Sequence, residues 1–116
     1  MQPSVLVVDD NEATLSGLAA LLASAGYRVL TAASYEAARA VLRAEQPNAL
    51  IVDIRLGSFN GLQLIVNAPR SAAVVITGHD DAYVESEARR LGADYFVKPV
   101  EPRVLLAAVD RRINAG

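Results

Sequence analysis

Short apolar, β-branched runs that each stop at a polar residue, with helical stripes between them, constrain this chain more than any other feature. Ser4 to Val8 (SVLVV) ends in Asp9, Asp10 and Asn11, and Ala49 to Val52 (ALIV) stops at Asp53. Ala73 to Ile76 (AVVI) stops at Thr77, and Tyr95 to Val97 (YFV) stops at Lys98, which precedes Pro99. A further run, Tyr27 to Ala32 (YRVLTA), also reads as a strand. Runs this short, without alternation of polar residues, suit strands buried on both faces.

The intervening segments carry helical spacing. Leu15, Leu18 and Leu22 recur between Glu12 and about Ser24, with Gly26 as the stop. Ser34 caps a second helix with a stripe at Ala38, Val41 and Leu42, closed before Pro47. Gly61 to about Ala68 allows only a short third helix before Pro69. Asp80 and Asp81 start a fourth, striped by Val84, Ala88 and Leu91 and ended by Gly92. Pro102 opens the last, with Leu105, Val109 and Ile113 on one face. Five strands alternating with five helices predict a doubly wound α/β fold with a parallel sheet and right-handed crossovers, spanning residues 1–116 as one domain. Ligands of such sheets bind beyond the carboxyl ends of the strands. Asp9, Asp53, Thr77 and Lys98, successively 44, 24 and 21 positions apart, are thereby expected on one rim.

Composition narrows the function. Hydrophobic residues make up 53% and charged residues 21%, which excludes a disordered chain. No apolar run approaches the roughly 20 residues of a bilayer-spanning helix, no secretory leader is visible, and the cytoplasm is the expected compartment. The absence of cysteine removes thiolate zinc sites and cysteine nucleophiles. A net charge of -2 lacks the basic excess of a phosphate-tracking surface, so direct nucleic-acid binding is not expected. Ten of the eleven basic residues are arginine, which singles out Lys98 as a point charge.

Carboxylates gathered on the rim at about 4 Å repel by about 4 kcal/mol per pair at an effective dielectric near 20. They need a counter-charge. A hard divalent cation held by carboxylates, water and a phosphate oxygen supplies it, and Mg2+ fits such ligands best. With that cation and Lys98 neutralising phosphate oxygens, one aspartate can attack phosphorus to form an acyl phosphate, and the Thr77 hydroxyl can bond the new group.

Taken in order and spacing, VVDD ending at Asp10, IVD ending at Asp53 with Gly61 eight residues on, VVITG around Thr77 and YFVKP ending at Pro99 resemble the receiver domain of two-component response regulators. The resemblance covers essentially the whole chain. It implies a flavodoxin-like strand order 2-1-3-4-5 with a shortened third helix. It implies that Asp53 accepts phosphate from a histidine kinase or phosphotransfer protein, and that Mg2+ is bound by Asp10, Asp53 and the backbone carbonyl of Arg55, with Asp9 assisting. Lys98 contacts the phosphate, Thr77 and Tyr95 form the switch pair, and the Lys98–Pro99 peptide is cis, which only X-Pro bonds adopt at low cost. On this reading the protein is a signalling domain rather than a turnover enzyme. Its output partner is unspecified, and a phosphorylation-dependent dimer is left open. The chain departs from the family at Gly57, where proline is usual, in the short separation of Gly61 from Thr77, and at Arg55, a long cation beside the site.

Simpler roles exist for each residue. Asp9 and Asp10 can cap the first helix, Asp53 and the Thr77–Gly78 pair can be turn residues, and Tyr95 and Lys98 can be solvated. His79 reads as an exposed loop residue, and Arg111 and Arg112 as a solvated face complementing the last helix dipole. Two other functions share the topology. A phosphohydrolase using an aspartyl phosphate usually has an acid two residues after its nucleophile, where this chain has Arg55; a flavin carrier offers hydroxyls and amides in its first loop, where this chain has Asp9 and Asp10.

Overall fold

A computed structural model describes residues 2–54 and 61–114. The strands are β1 (Ser4–Val8), β2 (Arg28–Ala32), β3 (Ala49–Asp53), β4 (Ala72–Thr77) and β5 (Asp94–Val97). They alternate with α1 (Glu12–Ser24), α2 (Tyr35–Ala44), α3 (Gly61–Val66), α4 (Ala82–Arg90) and α5 (Pro102–Asn114). All pairings are parallel, in the order β2-β1-β3-β4-β5. The doubly wound sheet, its strand order and the six-residue third helix agree with the sequence reading.

Alternation along each strand splits the core in two. Val5, Val7, Ala49, Ile51, Val74 and Ile76 pack with Leu15 and Leu22 of α1 and Leu105 and Val109 of α5. Leu6, Val8, Leu50, Val52 and Val75 face the other way, onto Ala38 of α2, Leu64 of α3 and Ala88 of α4. Both faces of the central strands are therefore covered, which is why β1 and β3 carry no exposed residue. Gly61 lies so close to the Val52 side chain that a Cβ there would collide with it, so α3 can start against β3 only with glycine.

Boundaries moved by a residue or two where ladder bonds decide them. Tyr27 is left out of β2 because its amide bonds to the Leu22 carbonyl at the end of α1. β3 reaches Asp53, which pairs with Ile76, and β4 and β5 take in Ala72, Thr77 and Asp94. Helix α1 is capped by Asn11, whose side chain accepts the Thr14 amide, and not by Asp9 or Asp10. Arg112 also differs from the expected solvated face: its guanidinium grips both oxygens of Asp94 at 3.1 Å and bonds the Gly92 carbonyl at 2.5 Å, fastening α5 to the α4–β5 turn. Among the described residues no helix is long and apolar enough to cross a membrane.

Candidate functional site

Sheet register brings the acids together. Val8 pairs with Val52, so Asp9 and Asp53 leave the sheet side by side; Thr77 pairs with Val97, so Lys98 follows on the next strand. Three of the four buried polar residues among those described, Asp9, Asp53 and Thr77, stand at these strand ends, and the first two are only 2% exposed. Asp10 is exposed at the lip.

Lys98 Nζ lies 3.1 Å from Asp53 Oδ2 and 3.5 Å from Asp9 Oδ2. Asp9 Oδ1 accepts the Asn11 amide at 2.9 Å. One carboxylate oxygen from each of Asp9, Asp10 and Asp53 lies within 4.8 Å of the others, and no second cation joins this group among the described residues. Burial above all raises the Asp9 carboxyl above its ordinary range, with the neighbouring Asp53 adding to it; the Asn11 amide and Lys98 oppose the shift. Asp9 and Asp53 thus set two buried carboxylates beside each other, with Lys98 Nζ between them. Three hard oxygen donors at this separation fit a divalent metal ion.

Thr77 and Tyr95 share a loop rather than a bond. The Thr77 hydroxyl donates to the His79 carbonyl at 3.0 Å and accepts the His79 amide at 3.2 Å, the turn chemistry available to a threonine there. The Tyr95 ring is turned inward and only 8% exposed; its hydroxyl accepts the Asp81 amide at 2.9 Å and donates to Asp80 Oδ1 at 3.1 Å. Burial, chiefly, raises the Tyr95 phenol above its usual range, with the Asp80 carboxylate adding and the Asp81 amide opposing. The Lys98–Pro99 peptide is cis. His79 is exposed, as read from the sequence. Arg55 and Gly57 lie outside the described residues. Sequence reasoning assigned Asp80 no part beyond starting α4; its contact with a residue 15 positions later had no local signal.

Comparison with known proteins points one way. The response regulator receiver domain family matches residues 5–110. The two-component response regulator PprB of Pseudomonas aeruginosa is 38% identical over 117 residues, covering 93% of this chain and 42% of that protein. The transcriptional regulatory protein FixJ of Azorhizobium caulinodans is 36% identical over 113 residues, covering 90% and 52% respectively. The chain thus spans about half, or less, of the length of these relatives. A CheY-like receiver domain protein of Methanospirillum hungatei superimposes with a TM-score of 0.91 at 28% identity, over 99% of this chain and 96% of the other. A response regulator of Burkholderia pseudomallei, crystallised with a phosphorylated aspartic acid, calcium ion and citrate, gives 0.86 at 31% identity, over 98% and 70%.

Proposed function

Since this chain belongs to the response regulator receiver domain family, we propose that Asp53 accepts a phosphoryl group from a histidine kinase or phosphotransfer protein, with Mg2+ held by Asp9, Asp10 and Asp53. The supporting observation is the buried pair of Asp9 and Asp53 with Lys98 Nζ set against both. The backbone carbonyl of Arg55 completes the proposed ligand set.

An Asp53 oxygen forms the new O–P bond as the P–N bond of a phosphohistidine breaks, its electron pair leaving with the imidazole nitrogen. Mg2+, when bound, supplies positive charge to the phosphoryl oxygens and relieves the repulsion among the carboxylates. Lys98, already 3.1 Å from Asp53, needs to shift little to donate to a phosphoryl oxygen. Thr77 exchanges its bond to the His79 carbonyl for one to the phosphoryl group, and the β4–α4 loop and Tyr95 respond as the switch. The altered surface is read by an output domain or partner, or by a second copy in a phosphorylation-dependent dimer. The protein acts in the cytoplasm as a switch that catalyses its own phosphorylation and dephosphorylation, and this domain does not itself bind nucleic acid.

The test is incubation with acetyl phosphate and Mg2+, read by intact mass and by mapping of the modified peptide. One phosphoryl group on Asp53, absent without Mg2+ and absent in Asp53→Asn, is expected. An unmodified native protein, or a phosphoryl group elsewhere, contradicts the proposal.

A further inference from the structure

The residues around the Tyr95 hydroxyl do two jobs at once. A phenol has one proton to give and a lone pair with which to accept. The Asp81 amide uses the acceptor, and the nearest acceptor for the proton is Asp80 Oδ1 at 3.1 Å, with the Asp81 carbonyl more distant at 3.4 Å. Asp81 is also the N-cap of α4: its carboxylate accepts the Tyr83 and Val84 amides at 2.9 and 3.1 Å, and its carbonyl accepts the Glu85 amide at 2.9 Å. The Tyr95 ring belongs to the same buried cluster as Ala88 of α4, with Val84 and Leu91 packed against it. Polar contacts therefore bind the Tyr95 hydroxyl to the beginning of α4, while its ring shares a buried cluster with the rest of that helix.

We propose that Asp80 is a positioning residue that holds Tyr95 inward, so that the ring of β5 and the N-cap of α4 move as a unit. A carboxylate is a stronger acceptor for a phenol than a peptide carbonyl, and Asp80 stands on an exposed loop that can withdraw it. Losing that acceptor leaves the proton only the Asp81 carbonyl, frees the ring to rotate, and deprives the Asp81 amide of its partner. The contacts stand on their own. Their meaning as regulation of α4 rests on the receiver reading given above.

Hydrogen exchange at the Asp81 amide tests this directly, because that amide is protected only while Tyr95 points inward. Exchange is expected to quicken on the order of tenfold in Asp80→Ala. Asp80→Asn, which keeps an oxygen acceptor of peptide-carbonyl strength nearby, is expected to restore part of the protection, and Tyr95→Phe to lose as much as Asp80→Ala or more. Amides in the middle of α5 report global stability and are expected to stay unchanged. Equal exchange at Asp81 in the native protein, Asp80→Ala and Tyr95→Phe overturns the proposal, as does Asp80→Asn exchanging faster than Asp80→Ala. Labelling of Asp53 by acetyl phosphate is read on the same samples: an unlabelled Asp53 refutes the receiver reading and leaves the exchange result standing, whereas labelling without an Asp80 effect refutes only this inference.

Discussion

The two ends of the same parallel strands are built on opposite terms. At the amino edge, Asn48 Oδ1 accepts the Ser4 amide at 2.9 Å and faces its hydroxyl at 3.4 Å, while the Asn48 amide bonds the Ser4 carbonyl and its carbonyl takes the Ala72 amide. Ser71 closes the same edge by donating its hydroxyl to the Pro47 carbonyl at 2.6 Å. These bonds join neutral partners and stabilise the fold. At the carboxyl rim, Asp9 and Asp53, each 2% exposed, face Lys98, and Asp10 stands beside them at the lip. The proposed site thus lies where like charges are crowded, and the closed edge and double core hold that crowding in place.

Lys98→Ala breaks the comparison most severely, since it removes the ammonium that faces both Asp9 and Asp53. A loss of about 3 kcal/mol, measured by urea unfolding without metal, is expected, and divalent cation should recover part of it. Asn48→Ala attacks the other end, leaving the buried Ser4 amide without its acceptor; a loss of about 1–2 kcal/mol, insensitive to metal, is expected by the same assay. The smallest effect has the opposite sign. Asp9→Asn removes a buried charge while keeping an oxygen for the Asn11 amide, and should raise metal-free stability at neutral pH by about 1 kcal/mol. The pH dependence follows from the raised Asp9 carboxyl. The folded state holds that proton more readily than the unfolded chain, so stability declines as pH rises from 3.8 through the raised value, and Asp9→Asn should flatten that decline.

Much of this was legible because strand ends and site coincide. Each apolar run announces its own end by the polar residue that follows, and a parallel sheet converts those ends into neighbours, so Asp9, Asp53, Thr77 and Lys98 could be placed together from spacing alone. What could not be read is set by side-chain torsions and by contacts between distant elements. Nothing local distinguishes a Thr77 hydroxyl turned to His79 from one turned into the site, or a Tyr95 bonded to Asp80 from one in solvent. Asp94 gave no strand signal, since an acid disfavours strands in isolation; it is accommodated in β5 because Arg112 arrives from α5 to hold both its oxygens. The third helix was legible as short, but its end at Val66 depends on the turn that follows, where the Ala68 amide bonds the Ile65 carbonyl.

Thermal unfolding of the native protein and of Asp9→Asn, each titrated with Mg2+, addresses the crowding of these carboxylates most directly. The native melting temperature should climb by several degrees and then saturate, while Asp9→Asn should begin higher and gain little, because the substitution has already removed part of the repulsion that the ion relieves. A native protein indifferent to Mg2+, or an Asp9→Asn variant that melts below it in the absence of metal, would contradict the claim that these carboxylates are held together against their own repulsion.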